Sequence, residues 1–161
     1  MLGLLGAAAV GGSAGCTQLG REKYRLHFVR IYNGSANEVD IDIRVRSDGE
    51  ITFETAYEGI PSFKDVDQDS ENPEADFVDE PNIRLVESEW GDEPAVYDLE
   101  YKLSGQESWS EADFDDPEAE HAAVDMMILG GVFGTSATFQ ALEFEDEDQV
   151  DYVLGREETH D

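Results

Sequence analysis

Val39-Asp40-Ile41-Asp42-Ile43-Arg44-Val45-Arg46 alternates without a fault, with four β-branched apolar residues on one face and four charged residues on the other. Successive side chains of an extended chain point to opposite faces, so this octet reads as a strand with one face buried and one in water. Upstream, residues 24–33 read as another strand with Val29 and Ile31 inward, and Asn33-Gly34 opens the connecting turn. Downstream, Ser47-Asp48-Gly49 is a tight turn into residues 50–57, where Ile51, Phe53 and Thr55 share a face. Three consecutive antiparallel strands are the expectation for this part of the chain.

Residues 58–81 hold Pro61, Pro73 and Pro81 among many carboxylates and lack periodicity, which predicts a long exposed loop. Strands resume at 82–89 and 95–103, where Tyr97, Leu99, Tyr101 and Leu103 alternate with charged residues, and a shorter one over 106–114 carries Trp109. After a polar link at 115–121, residues 121–129 and 132–144 flank Gly130-Gly131 as a final hairpin. A helix over 117–129 is the competing reading, but the glycines and Thr135-Ser136-Ala137-Thr138 favour strands. Seven or eight short strands predict an all-β fold, an antiparallel immunoglobulin-like β-sandwich over residues 24–145. Its inward residues are Val29, Ile31, Val39, Ile41, Ile43, Val45, Ile51, Phe53, Tyr97, Leu99, Tyr101, Leu103, Val124, Met126 and Ile128. An acidic tail, 146–161, is expected to fray.

Charge limits what such a domain meets. The 161 residues carry 39 Asp plus Glu against 10 Lys plus Arg, a net charge of −29, which repels phosphate backbones and argues against a nucleic-acid partner. Residues 17–46 hold six basic and four acidic residues, so this segment is the only one that anionic lipid headgroups would not repel, unless Arg30, Arg44 and Arg46 pair with acids on neighbouring strands. High net charge is also a mark of disorder, but the strict alternation around Ile41 decides against it.

The first fifteen residues differ in kind. Leu2-Gly3-Leu4-Leu5-Gly6-Ala7-Ala8-Ala9-Val10 is too short to span a bilayer, and it runs through small residues to Cys16, the single cysteine. This is the pattern of a signal peptide, 1–15, followed by an anchor and linker, 16–23. Ser13-Ala14-Gly15-Cys16 resembles a prokaryotic lipobox, in which cleavage precedes the cysteine and its thiol is lipidated. The glycine-rich run resembles those that follow a twin-arginine motif, which puts the expected start upstream of Met1. With acids exceeding bases about fourfold and lysine only at 23, 64 and 102, the chain resembles haloarchaeal exported lipoproteins. That resemblance implies a lipid anchor on the extracellular face of the cell membrane, with the membrane as partner through Cys16, and it implies no particular activity.

Candidate chemistry is sparse. Gly11-Gly12-Ser13-Ala14-Gly15 fits the nucleophile-elbow pattern but lies in the expected signal peptide. His27, His121 and His160 fall in a predicted strand, link and tail without ligand spacing, so neither a copper nor a zinc site is expected. Asp65, Asp67, Asp69 and Asp76 stand at positions 1, 3, 5 and 12 of an EF-hand-like loop, which makes calcium the one cofactor to consider; Ser70 replaces the turn glycine. Asn33-Gly34-Ser35 is a glycosylation sequon as well as a turn. Trp90 and Trp109 are read as core or rim anchors. A surface module with a binding or structural role and no catalysis is therefore expected. A calcium-dependent surface module stands second, and a hydrolase third.

Overall fold

A computed structural model describes residues 20–65, 80–87, 89–131 and 134–155. Eight strands form two four-stranded sheets that face each other across one apolar core. The strands are β1 (Arg25–Asn33), β2 (Val39–Ser47), β3 (Glu50–Ile60), β4 (Ile83–Glu87), β5 (Tyr97–Leu103), β6 (Ser110–Glu111), β7 (His121–Gly131) and β8 (Gly134–Phe144). One sheet has the order β3-β2-β5-β6, the other β4-β1-β7-β8. The fold is thus a two-sheet, all-β sandwich.

Alternation places β2 at the heart of the first sheet, where Val39, Ile41, Ile43 and Val45 are buried and the charged residues between them face outward. Of the fifteen residues expected inward, twelve are buried, while Phe53 and Tyr101 are partly buried against the core. Ile51 is the exception, 48% exposed. Its strand carries an extra residue opposite the step from Val45 to Arg46, so Phe53 registers with Val45 and Ile51 with outward-facing Arg46. One bulged residue reverses every side chain beyond it.

Three expectations are corrected. First, β1 and β2 do not pair. The 34–38 connection crosses between the sheets, and β1 lies between β4, which is antiparallel to it, and β7, which is parallel. Gly130 permits the close passage of that connection, because a Cβ there would stand 2.9 Å from the Cβ of Ser35. Second, β3 runs on to Ile60, three residues into the expected loop. Third, the start of the acidic tail is a packed helix, α1 (Glu147–Val153). Asp146 caps it, accepting from the Gln149 N–H at 3.1 Å. Val150 and Leu154, four apart and so on one face, bury against Phe28, Ala123 and Phe144 on the outer side of the β1–β7–β8 sheet. The segment is held by a second, smaller core.

Candidate functional site

Seven cations, Arg21, Lys23, Arg25, Arg30, Arg44, Arg46 and Lys102, form ion pairs. Along the outer face of β2, Arg44 reaches Glu54 on β3 at 2.8 Å and Glu100 on β5 at 3.5 Å, Arg46 meets the same Glu100 at 2.9 Å, and Asp42 meets Lys102 at 2.6 Å. Arg44 also lies 4.0 Å from the Trp109 ring centroid, which makes that tryptophan a rim anchor; Trp90 is buried and donates from Nε1 to the Leu26 carbonyl at 2.7 Å. Arg30 pairs with Asp125 across β1 and β7. The described basic residues of this segment, Arg21, Lys23, Arg25, Arg30, Arg44 and Arg46, are thus each ion-paired within the domain, and Arg30, Arg44 and Arg46 pair with acids on neighbouring strands.

Cys16, Asp67, Asp69 and Asp76 lie outside the described residues. Asp65 is described, and its carboxylate accepts from the Ser62 hydroxyl at 2.7 Å. Asn33 is fully buried, and its Nδ2 donates to the carbonyls of Asn37, Ile60 and Pro61, each at 2.9 Å. Its Oδ1 accepts from the Ser35 N–H at 3.0 Å. In the folded domain this amide seals the crossing between the sheets.

The structure does assemble one group that the sequence reading discounted. Between Leu26 and Val29, β1 holds two residues, His27 and Phe28, opposite the single Ala123 of β7. Such a bulge keeps both residues on the outer face, so Phe28 enters the small core under α1 while His27 turns toward His121 at the start of β7. His27 Nε2 and His121 Nδ1 stand 2.9 Å apart. The ring planes are inclined by only 20° with centroids 5.1 Å apart, so the rings meet edge to edge with the nitrogens between them. A carboxylate oxygen of Glu147, in the first turn of α1, lies within 4.8 Å of a ring nitrogen of each histidine.

His27 and Glu147 line a cleft of about 340 Å³ whose rim also carries Arg25, Asp92 and Asp151. Burial, followed by the neighbouring His121, pushes the His27 pKa below 6.5, against the opposite pull of Glu147 and Asp151. A hydrogen bond between the two ring nitrogens has one imidazole N–H donating to the lone pair of the other ring, with the roles set by the tautomers. Ninety-four residues separate the two histidines, and no local spacing rule reaches that far. The broken alternation at Leu26-His27-Phe28-Val29 was the available signal, since it marks a bulge.

Compared with protein-family models, with curated proteins and with solved structures, the chain matches none.

Proposed function

We propose that this protein is a lipid-anchored, extracellular β-sandwich of a halophile, held through Cys16 and serving a binding or structural role without catalysis. The observation that carries the reading is the short, fastened lead-in to the fold. Arg21, five residues after Cys16, grips Asp116 through two nitrogens, reaches Asp98 at 2.5 Å and donates to the Tyr97 carbonyl at 3.0 Å. Five extended residues reach about 17 Å, so an anchored Cys16 keeps this end of the sandwich at the bilayer surface. The 34–38 crossing, at the opposite end of β1, then faces outward. Near that end Met127 and Leu129 stand exposed two apart on β7, and Met127 registers with Tyr32 of β1, an apolar group suited to a partner.

Because the basic residues nearest the anchor are paired within the domain, a polybasic contact does not supplement the lipid. One chain alone binds marginally, so stable attachment requires two chains on Cys16. The finer class, immunoglobulin-like, rests on the strand number and on connections that pass between sheets; the parallel β1–β7 pair departs from wholly antiparallel order.

Cys16→Ser separates anchor from fold. Membrane and medium fractions should show the protein moving from the first to the second, with an unchanged circular dichroism spectrum; retention in the membrane would overturn the reading. The calcium alternative is tested by titration of the full chain, in which saturable binding that Asp67→Ala removes would replace the present reading with a calcium-dependent module.

A further inference from the structure

The ring nitrogens of His27 and His121 that meet at 2.9 Å can each turn a lone pair toward a metal ion once deprotonated. Two imidazole nitrogens and a carboxylate are the donor set of borderline divalent ions such as Zn²⁺, whereas Ca²⁺ and Mg²⁺ prefer oxygen alone. We propose that His27, His121 and Glu147 form a three-ligand site for one divalent ion of the zinc class, which fastens α1 to the outer face of β1 and β7. The inference is independent of the anchor at Cys16.

Geometry supports it in three respects. With Zn–N bonds of about 2.0–2.1 Å, tetrahedral nitrogens stand about 3.3 Å apart, so the present 2.9 Å has to open by only a few tenths of an ångström as each ring tilts its lone pair toward a common point. The donating ring moves its proton to its other nitrogen, so both rings bind neutral and no net proton is lost. Glu147 is exposed, and a carboxylate oxygen of it already lies within 4.8 Å of a ring nitrogen of each histidine, a gap that a side-chain rotation closes. The fourth position opens on the cleft and is left to water, the arrangement of sites that keep an exchangeable ligand.

Electrostatics work in the same direction. Asp92 and Asp151 line the cleft beside Glu147 and raise the local concentration of cations, while Arg25 is drawn off by Glu120 at 3.0 Å. The ligands come from three elements far apart in sequence, β1, β7 and α1, so a bound ion closes long loops and favours the folded state.

The test is calorimetric titration of the full-length protein with Zn²⁺ in about 1 M KCl, where the Debye length of about 3 Å suppresses diffuse binding to surface carboxylates. An excess of Mg²⁺ occupies oxygen-only sites. The expected result is one saturable site per chain that survives Mg²⁺ and raises the melting temperature. Glu147→Gln, on the exposed side of the site, should keep the fold and weaken binding by at least the roughly tenfold that loss of even an outer-shell partner costs. His27→Gln and His121→Gln should abolish the site, and His160→Gln should leave it intact. Absence of a saturable site in the wild type, or Glu147→Gln binding as the wild type does, would overturn the assignment, and the second outcome is readable even if a histidine variant fails to fold.

Discussion

Strands β2 and β1 solve the same problem, a central place in a four-stranded sheet, in opposite ways. Strand β2 buries one face and pays out charge on the other, where Asp42, Arg44 and Arg46 find partners on β3 and β5. Strand β1 is covered on both faces: Leu26, Val29 and Ile31 enter the main core, and Phe28 enters the second core beneath α1. Regular alternation can serve only a strand with one wet face. The bulge at His27 and Phe28 lets β1 serve two cores, and its by-product is a histidine turned toward another histidine. The outer face of β2 therefore carries regular charge pairs, whereas the bulge in β1 carries the candidate chemistry.

The largest test of this contrast is removal of salt. A domain of this size is stable by about 5–15 kcal/mol, and at 0.1 M the Debye length of about 10 Å leaves neighbouring surface carboxylates unscreened. Cooperative loss of β-sheet circular dichroism is expected as salt falls from molar concentrations toward 0.1 M, with recovery on its return. The two regions should not fail together. Glu147, Asp148 and Asp151 on α1 face water without a basic residue in the last turn, whereas the acids beside β2 are ion-paired. Hydrogen exchange should show α1 amides losing protection at higher salt than those of β2; simultaneous loss would make the molecule one cooperative unit, and a flat signal throughout would defeat the halophilic reading.

Core truncations come next. Ile43 and Phe28 are both fully buried, one in each core. Ile43→Ala should cost about 2–5 kcal/mol, and Phe28→Ala about 3–5 kcal/mol. Their consequences should differ in kind. Losing Phe28 removes the floor on which Val150 and Leu154 rest, and its ring contact with Phe144, so α1 should detach before the sandwich melts. Losing Ile43 should lower the single main transition and leave α1 docked until then. Denaturant melts followed by exchange at α1 would separate the two, and identical profiles would remove the distinction between the cores.

That difference also explains what was legible in the sequence. Strands that obey one periodicity could be read directly: β2 from its octet, β5 from Tyr97 to Leu103, and the pairing of β7 with β8, although Gly130 and Gly131 stand inside β7, paired with Thr135 and Gly134, and do not form the turn. What could not be read required knowledge of a partner. The 34–38 segment is short enough for a hairpin, and only the crossing sealed by Asn33 shows that it changes sheets. Ile51 fits the alternation of β3 until one extra residue reverses it. Helix α1 did leave a local trace, an Asp146 cap followed by Val150 and Leu154, which the surrounding acids obscured. The histidine pair left none beyond the broken alternation, because its two halves come from strands joined only in the sheet.

A smaller effect is expected on the regular side. Arg44 sits between Glu54 and Glu100 with its side chain 17% exposed and stacks on Trp109. Arg44→Gln should cost about 1 kcal/mol or less at low salt and less still at molar salt, since exposed pairs contribute little and are screened. Chemical melts at two salt concentrations would check this. A large loss at molar salt would mean that the β2 ion pairs carry more of the fold than the alternating core beneath them.

The smallest effect belongs to the irregular side, and it is a slope in pH. His27 binds its proton less readily in the folded domain than in the unfolded chain, chiefly through burial and then through His121 and Arg25, with Glu147 and Asp151 acting in opposition. The unfolded chain therefore takes up more protons near this residue's ordinary value of 6.5, and stability rises with pH across that window. The contribution is complete above 6.5 and is lost as pH falls through the lower folded value. Between about pH 7.5 and pH 5.5, the range in which histidine titrates and most carboxylates do not, the wild type should lose melting temperature. His27→Gln should lose less over the same interval, because the remaining carboxylate titration is common to both proteins and subtracts out. Equal slopes would mean that the bulge leaves His27 as exposed to water as any residue on the outer face of β2, and the contrast between the two strands would then end at packing.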